Sequence, residues 1–489
     1  MRSISTLSGV EGHLPGGPRC FPRLHLLRQP LAPIALAAMT LAGSACGGAP
    51  GGGPEGARPT AGEAFSRPLE IYRDLGFMTG SGQFPVVASF ATVAGPRDST
   101  FVLLGMSLPN SALRYQRDPD GSGFFAEYRI EVTFMDPDSI AVKRFEAREL
   151  VRISTFAETG RTDESVVYQQ GFTLPPGSYI VRLQAADVNS SRGFRMTDTL
   201  TAPDYSLGAS VSSPVLVYEA AGRTHRDVMP DLISNPRHTV PYGGAAPLLY
   251  VESYGASLRP VDVRVLNEAG GIVWSAMAAL RGGGDDLRYD VVEIPAEALP
   301  LGKFWVEVSS DGARPSRTPI VMTISDQWMV ANLEDVLDFL RFIAYPEELD
   351  SLSMGRPADQ RAAWDRFWQR RDPLLVTDVN EYRDAFFQRV RYATEAFREA
   401  GGRAGWNTDR GEVYIVLGPP DNSVERYIGE RDITRQPNAE EWVYTAVPGG
   451  RLNLLFYDRS GFGRYELVPS SAAAFRNVAD RLKPRPERN

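Results

Sequence analysis

Hydrophobic residues in the first half of the chain occur in short segments that turns separate. The clearest segments span residues 86–93, 101–108 and 128–134, and Gly, Pro, Asp and Asn fill the turns between them. Short strands at regular spacing are typical of an all-β sandwich. We therefore predict a first sandwich domain over residues 67–220, with a short helix near its start, from residue 68 to residue 75.

The pattern of the first sandwich recurs in the residues that follow it. Segment 299–308 repeats segment 174–183, with a proline, a glycine, an aromatic residue and a valine in register. Two further pairs of segments agree, namely 132–135 with 263–266 and 213–217 with 318–322. We interpret the last pair as closing edge strands, where proline is tolerated. Internal repeats indicate related units, so we expect a second immunoglobulin-like sandwich over residues 221–325, in tandem with the first.

After Asp326 the spacing of hydrophobic residues changes to that of amphipathic helices. One apolar face is formed by Leu333, Val336, Leu337, Leu340 and Ile343, and a second helix is marked by Trp364, Phe367 and Trp368. A third helix has its apolar stripe at Tyr382, Phe386, Val390, Ala393 and Phe397. Asp378 and Glu381 have the spacing of a capping box at the start of this helix, and Gly401 and Gly402 would end it.

Four predicted strands follow these helices, at residues 412–417, 441–445, 452–457 and 464–468. Helices followed by a small antiparallel sheet define an α+β domain. We expect this domain over residues 326–480 and a disordered tail over residues 481–489. The predicted fold is thus multidomain, with two all-β sandwiches followed by an α+β domain.

The N-terminal residues 1–45 have the composition of a signal peptide. Four arginines and one glutamate precede an apolar run over residues 31–41, which is about half the length needed to cross a bilayer. The run leads into Leu41-Ala42-Gly43-Ser44-Ala45-Cys46, which resembles a bacterial lipobox with Cys46 as the lipidated residue, although Gly43 stands where leucine is usual. The alternative is ordinary cleavage near Ala45, which would release a soluble secreted protein.

Residues 46–66 are rich in Gly, Pro and Ala, and this composition predicts a flexible tether. Removal of the leader also removes Cys20, so Cys46 would be the only cysteine and no intrachain disulfide could form. The net charge changes from −8 to −11, because the leader carries +3. An acidic protein without an obvious basic face is not expected to bind nucleic acid.

The most distinctive motif is Gly405-Trp406-Asn407-Thr408-Asp409-Arg410-Gly411, which precedes the predicted strand at 412–417 and a turn at 418–421. It resembles the signature of the GWxTD-domain proteins, a family of the bacterial cell envelope. Further landmarks of the family are Phe367-Trp368, Arg371-Asp372-Pro373, Asn380-Glu381, Arg389-Val390 and Glu441-Trp442-Val443-Tyr444. The resemblance implies an envelope location but no reaction, because no molecular activity is established for the family.

The signature admits an architectural and a binding interpretation. In the first, Trp406 is buried, while Thr408 and Asp409 bond the backbone of the turn and the following arginine pairs with a carboxylate. In the second, the loop and the turn line a cleft for a ligand or a partner polypeptide. The candidate binding residues are then Trp406, Thr408, Asp409, Arg410 and Asp421. The five tryptophans in the last third of the chain could likewise form a core or a platform for carbohydrate or peptide.

Residues suited to catalysis are scarce in the signature domain. The only histidines beyond the leader are His225 and His238, so neither a Ser-His-Asp triad nor a His-rich zinc centre can be built there. The enzymatic alternative is an envelope hydrolase of glycan or peptide that would use a carboxylate pair, either Asp409 with Asp421 or Glu440 with Glu441. Residues 118–123 resemble half of a calcium loop, but we interpret them as a hairpin turn. We expect no catalytic residue, no metal and no cofactor.

These observations favour a binding or assembly role over an enzymatic one. We expect a lipoprotein of the cell envelope that Cys46 anchors to a membrane leaflet, in the outer membrane facing the periplasm or the cell surface. The tether and the sandwiches would act as a stalk, and the terminal domain would contact an envelope protein or peptide.

Overall fold

The computed structural model describes residues 68–81, 83–159, 165–206, 210–255, 260–284, 287–324, 333–374, 380–399, 403–426 and 438–484. The predicted signal peptide and tether, including Cys46, lie outside these residues. Asp378, Gly401 and Gly402, which were expected to cap and end the third helix, also lie outside them.

Two antiparallel sheets form the first sandwich, which confirms the predicted strands. One sheet pairs, in order, β1 (Met78–Ser81), β2 (Phe84–Ala94), β3 (Thr100–Pro109) and β7 (Ser165–Leu174). The other pairs β4 (Gln116–Arg117), β5 (Phe124–Met135), β8 (Gly177–Asp187) and β9 (Gly193–Ala202), with β6 (Ala141–Ile153) on the other side of β5. Helix α1 (Pro68–Asp74) is present as predicted, and α2 (Phe156–Thr159) follows β6. Val102, Ile130 and Leu183 are among the fully buried side chains between the sheets.

The second sandwich also has two sheets. One pairs β12 (Asp231–Ser234), β11 (Val215–Gly222), β14 (Leu248–Tyr254), β18 (Leu287–Glu293) and β17 (Gly282–Gly283), with β10 (Ser210–Val211) beside β14. The other pairs β13 (Thr239–Pro241), β20 (Ser316–Thr323), β19 (Gly302–Ser310), β15 (Val261–Asn267) and β16 (Ile272–Met277). Strands β5 and β8 of the first sandwich correspond to β15 and β19 of the second, as the first two repeated segments predicted.

The third repeated pair was wrongly interpreted as closing edge strands. Strand β11 lies between β12 and β14, and β20 lies between β13 and β19, so neither is an edge strand. Proline excludes a central strand only where its missing N–H would be used. Pro214 stands before β11, and Pro319 lies beyond the end of short β13, whose pairing with β20 begins at Val321. Neither proline therefore marks an edge.

A hairpin turn connects β4 with β5, as predicted for residues 118–123. The amide of Asp118 donates to the carbonyl of Gly123 at 2.9 Å, and the amide of Gly121 donates to the carbonyl of Asp118. Asp118 also pairs with Arg152. Across the described parts of the chain, no cluster of three or more carboxylate, imidazole or thiol groups could hold a metal ion.

A buried ion pair joins the two sandwiches. Arg223 donates to both carboxylate oxygens of Glu252 at 2.7 Å and to the carbonyl of Ala94, in the first sandwich, at 2.7 Å. The hydroxyl groups of Tyr250 and Tyr254 donate to the same carboxylate. Both members of the ion pair are almost completely buried. Since a buried charge is tolerated only when it is paired and hydrogen-bonded, this network fixes the contact between the sandwiches.

The terminal part of the chain combines helices with one four-stranded antiparallel sheet. The helices are α3 (Leu333–Leu340), α4 (Pro346–Ser353), α5 (Pro357–Gln369), α6 (Glu381–Ala396), α7 (Asp409–Leu417) and α8 (Pro469–Leu482). The sheet pairs β21 (Asn422–Arg426), β22 (Ala439–Val447), β23 (Gly450–Tyr457) and β24 (Glu466–Leu467) in that order. The predicted α+β class is confirmed, whereas α4, α8 and β21 were not anticipated.

The segment predicted as a strand at 412–417 is helical. Its apolar, β-branched residues favour a strand locally. However, the Thr408 side chain caps α7 by accepting a hydrogen bond from the Gly411 amide at 3.1 Å, and the helix buries Val413 and Ile415 against the core. Tertiary packing therefore overrides the local preference.

The cap of the third predicted helix also differs from the expected capping box. Asn380 precedes α6, and its side chain accepts a hydrogen bond from the Arg383 amide at 2.8 Å. Glu381 is consequently the first helical residue instead of the third. Asparagine is among the best capping residues because its short side chain reaches the free amides of the first turn.

The helices share one continuous core with the second sandwich. The Tyr242 and Trp364 rings lie edge to face with their centroids 5.5 Å apart, and Arg361 donates to the carbonyl of Gly244 at 2.9 Å. The terminal domain is therefore built directly onto the second sandwich.

Candidate functional site

The signature segment forms a close turn between α6 and α7. Residues Gly405–Asn407 make a single 3₁₀ turn, after which α7 begins at Asp409. A Cβ atom on Gly405 would lie 2.0 Å from the Ala393 carbonyl oxygen, and one on Gly411 would lie 1.9 Å from the Gly405 carbonyl oxygen. Both glycines are thus needed because the backbone passes too close for any side chain.

Trp406 is a core residue, with 6% of its surface exposed. Its ring lies edge to face with Phe339 at a centroid distance of 4.9 Å. On another side the Arg341 guanidinium lies 5.3 Å from the ring centroid, and Arg341 also donates to the Asn407 side chain at 2.9 Å. Trp364, Trp368 and Trp442 are buried in the same core, so these four rings do not form an exposed platform.

Thr408 and Asp409 hold the backbone on both sides of the turn. The Thr408 hydroxyl donates to the Gly405 carbonyl at 2.8 Å while it caps α7. The Asp409 carboxylate accepts a hydrogen bond from the Leu467 amide at 2.7 Å, which attaches the start of α7 to β24. Both side chains therefore serve contacts of the type that the architectural interpretation requires.

Arg410 is at the centre of a half-buried cluster that also contains Glu440, Trp442, Ser423 and Tyr465. Arg410 donates to the Glu440 carboxylate at 3.3 Å, and its guanidinium lies 4.2 Å from the Tyr465 ring centroid. The other Glu440 oxygen accepts from the Trp442 indole at 2.6 Å and from the Ser423 hydroxyl at 2.7 Å. This Arg410 cluster connects α7 with β21, β22 and the chain before β24.

Asp421 does not join the Arg410 cluster. It is exposed beyond the C-terminal end of α7, and the eight helical residues that follow Asp409, about 12 Å of helix, separate the two aspartates. Its carboxylate accepts a hydrogen bond from the Thr445 amide at 2.6 Å. The hydrogen bond from the Thr445 hydroxyl and, after it, the one from the Thr445 amide lower the pKa of Asp421.

The two carboxylate pairs considered for hydrolysis do not converge. Asp409 and Asp421 lie at opposite ends of α7, as described above. Glu440 and Glu441 are consecutive residues of β22 and point to opposite faces of the sheet. Glu440 bonds Trp442 and Arg410, whereas Glu441 bonds Arg426 and Asn453. Neither pair can act on one glycosidic bond from two sides.

Two other carboxyl groups near the turn have perturbed acidity. Burial raises the pKa of Glu399, and its negatively charged neighbour Asp409 adds to that increase. Burial and the same aspartate also raise the pKa of Glu412. Both groups are near basic side chains, among them Arg403 for Glu399, at 3.9 Å. Acidic and basic side chains thus lie next to one another around the signature turn.

Sequence reasoning missed the exposed strand beside the Arg410 cluster. All five residues of β21 are exposed, and β21 is the last strand on its side of the sheet within the described residues. The hydrophobic pattern gave no indication of it, because Val424 is its only large apolar residue. The turn at 418–421 was the one available signal that a new element begins there.

The two histidines that follow the predicted leader lie far along the chain from the signature. His238 is buried between the sandwiches, where its ring nitrogen Nδ1 lies 2.8 Å from the Pro319 carbonyl oxygen. Burial lowers the pKa of His238 to about 4. The imidazole is therefore neutral and structural at neutral pH.

None of the described helices is both long and apolar enough to cross a membrane. Residues 304–474 match the family model of the GWxTD domain. No curated protein is similar to the chain.

Similarities to solved structures are weak. The putative ApaA protein of Bordetella pertussis is 15% identical with a TM-score of 0.16, over 24% of this chain and 95% of that chain. Red sea bream transglutaminase is 11% identical with a TM-score of 0.17, over 55% of this chain and 34% of that chain. A Ruminococcus gnavus beta-glucuronidase is 13% identical with a TM-score of 0.14, over 47% of this chain and 35% of that chain. The chain spans about a third of the length of these two enzymes, and TM-scores this low carry no argument about function.

The family match begins at Phe304 in β19 and ends at Ala474 in α8, so it covers the last strands of the second sandwich, the helices and the terminal sheet. It includes the close turn at Gly405 and Gly411 and the contacts of Trp406, Thr408 and Asp409 described above. The chain therefore contains a GWxTD domain over residues 304–474.

Proposed function

We propose that this protein is a membrane-anchored lipoprotein of the cell envelope whose terminal domain binds an extended segment of a protein or peptide partner. The role is binding or assembly and not catalysis. Lipid on Cys46 holds the chain at the outer membrane, and the sandwiches set the terminal domain at a distance from it. The leader and the lipobox-like segment of the sequence support the anchor.

The exposed edge strand β21 carries the proposal for the terminal domain. An unpaired strand edge presents N–H and C=O groups that can pair with the backbone of another chain. Natural proteins usually protect such edges with charges, and β21 has only Glu425 and Arg426, of which the arginine pairs with Glu441. An extended peptide can therefore continue the sheet on this side.

The Arg410 cluster supports β21 from within the domain. Ser423 of β21 donates to Glu440, which Arg410 and Trp442 hold in place. The signature residues thus act on binding by positioning the edge strand. Residues Trp406, Thr408, Asp409 and Arg410 would contribute through this support, and Asp421 would contribute at the start of the strand.

A proline scan of the edge tests the binding proposal. Consecutive residues of an antiparallel strand direct their N–H groups to opposite sides. In β21 these groups therefore point alternately inward, to β22, and outward, to the open edge. The variants are Ser423→Pro, Val424→Pro and Glu425→Pro, which remove one N–H group each. Partners are captured from detergent-solubilised membranes with each variant after its melting temperature has been measured. We expect folded variants that lack an outward N–H to lose the partner. Glu146→Pro, on the edge strand β6, is the matched control and should retain it.

Retention of the partner by every folded β21 variant would contradict strand addition at this edge. The anchor is tested separately by metabolic labelling with an alkynyl fatty acid. The wild-type protein should take up the label and Cys46→Ser should not. Label on neither protein would instead support release of a soluble secreted form.

A further inference from the structure

The outer face of the sheet that contains β5, β6, β8 and β9 has an unusual composition for an acidic protein. Six exposed arginines lie on it, namely Arg129, Arg144, Arg148, Arg152, Arg182 and Arg195. Cross-strand register places them on one face, since Arg129 lies opposite Arg148 while Thr133 lies opposite both Arg144 and Arg182. Three glutamates, Glu127, Glu131 and Glu146, share the face. We call this surface the arginine face.

The glutamates lie mostly below the guanidinium groups. Arg144 pairs with Glu131 at 3.0 Å, and the side chains are 71% and 22% exposed, respectively. Arg148 pairs with Glu127 at 3.5 Å, with 65% and 33% exposed. In both pairs the carboxylate is more covered than the cation, whereas Arg129 and Glu146, 3.9 Å apart, are about equally exposed. With six arginines and three glutamates, the face as a whole is positive.

Two arginines of this face have no carboxylate partner among the described residues. Arg195 donates to the Gln184 side chain at 2.7 Å, and Arg182 is exposed in the neighbouring row of the sheet. Acidic side chains of the connecting turns are at the margin, where Asp118 is bound to Arg152 and Asp136 accepts the Ile140 amide. Arg182 on β8 and Arg195 on β9 are therefore guanidinium groups that no described carboxylate neutralises.

Two exposed apolar side chains, Val142 and Leu150, lie on the same face as the arginines. Three more, Ile140, Phe156 and Val188, are exposed in the segments next to strands β6 and β8. Val142 and Leu150 alternate with arginines along the outer side of β6. Arginine next to exposed apolar side chains is typical of protein surfaces that rest on the headgroup layer of a membrane.

We propose that the arginine face docks on the anionic phospholipid headgroups of the membrane to which the chain is anchored. This proposal builds on the lipid anchor at Cys46. Only 21 residues separate Cys46 from Pro68, the first residue that the structure describes, and a Gly-rich chain of that length has a root-mean-square span of about 25 Å. The first sandwich is thus held close enough to touch the bilayer surface.

Charge determines which side of the protein approaches the lipid. The chain without its leader is acidic, so an anionic surface repels most of the molecule and attracts the arginine face. Guanidinium groups bind phosphate oxygens through paired hydrogen bonds. Docking would place one face of the first sandwich against the membrane surface, and the terminal domain would remain accessible to its partner.

Vesicle binding by the lipid-free protein tests this proposal. The chain from Gly47 onward keeps every described residue and has no lipid, so the result does not depend on whether Cys46 is modified. We expect it to sediment with phosphatidylcholine vesicles that contain phosphatidylglycerol, to remain free with phosphatidylcholine alone, and to dissociate at high salt. Arg182→Glu/Arg195→Glu, which breaks no ion pair, should weaken binding at least tenfold.

A triple variant with the same kind of charge change provides the matched control. Arg366→Glu/Arg459→Glu/Arg476→Glu alters exposed arginines of the terminal domain and should bind vesicles like the wild type. The variant to compare with it is Arg144→Glu/Arg148→Glu/Arg182→Glu, which alters three arginines of the arginine face. If both triple variants lose vesicle binding equally, the net charge of the protein determines binding, and the proposed docking face is overturned. Absence of wild-type binding to anionic vesicles would also overturn the proposal. An acidic protein would then be the alternative ligand of the arginine face.

Discussion

Gly411 shows how a single hydrogen atom in place of a side chain permits the signature turn. A Cβ atom there would overlap the carbonyl of Gly405, and the backbone of Trp406 lies 3.0 Å away. Because neither neighbour is a flexible side chain, we expect Gly411→Ala to lower the free energy of unfolding by about 2 to 3 kcal/mol. Urea denaturation measures the change. Glu395→Ala, at an exposed position of α6, should stay within about 0.5 kcal/mol of wild type, and equal effects in both variants would contradict this account.

Protonation of His238 should destabilise the fold at acidic pH. Burial lowers the pKa of this imidazole to about 4 in the folded protein, against about 6.5 when it is unfolded. Between these values the unfolded chain binds more protons, so stability is complete above about pH 6.5 and is lost as the pH falls towards 4. The shift corresponds to a loss of roughly 3 kcal/mol.

His238→Asn isolates the contribution of this histidine. Asparagine tolerates the positive φ of 53° at this position and does not titrate. The free energies of unfolding of wild type and variant, measured from pH 7.5 to pH 4, should differ by an amount that shrinks as the pH falls. A difference that is constant over this range would mean that His238 does not titrate on unfolding.

Helix α7 shows at the scale of elements why the signature includes a threonine. Thr408 is 2% exposed, accepts from the amide of Gly411 and donates to the carbonyl of Gly405. Thr408→Ala removes both hydrogen bonds from a buried helix start and should cost about 1 to 2 kcal/mol. Thr408→Ser retains the hydroxyl and should restore most of this loss. If serine is as destabilising as alanine, methyl packing and not capping is the role of this residue.

The two edge strands β6 and β21 differ in whether they can pair with another chain. Within the described residues, strand β6 is a long edge with six charged side chains, which oppose pairing with another chain. Strand β21 is a short edge beside the Arg410 cluster with two charged side chains, one of which, Arg426, already pairs with Glu441. The sequence predicted strands in the first sandwich correctly because their hydrophobic segments are long. It missed β21 because a strand exposed on both faces has no hydrophobic pattern to detect.

At the scale of the whole molecule, the Arg223–Glu252 pair connects the first sandwich to the rest. Burial favours the neutral form of Arg223, but the adjacent Glu252 raises its pKa overall, so the guanidinium stays charged. Arg223→Met would leave the Glu252 carboxylate buried without its cation and should cost about 3 to 5 kcal/mol.

The variant should also lose coupling between the sandwiches. All seven tryptophans lie beyond the first sandwich, so tryptophan fluorescence reports on the second sandwich and the terminal domain, while far-ultraviolet circular dichroism reports on the whole chain. The two unfolding curves should coincide in the wild type and separate in Arg223→Met. Arg317→Met, which removes an exposed ion pair with Glu307, should leave them coincident; separated curves in the wild type would contradict the proposed coupling.

The sequence by itself determined the two sandwiches, the order of helices and sheet, and the family of the terminal domain. Periodic burial of hydrophobic residues is a local signal, and so are the repeated segments and the GWxTD motif. Only the tertiary structure decided that residues 412–417 are helical, that Trp406 is a core residue and that Asp421 lies apart from Arg410. These outcomes depend on contacts between distant segments, such as Asp409 with Leu467 and Arg410 with Glu440, and no pattern along the chain encodes which distant groups will meet.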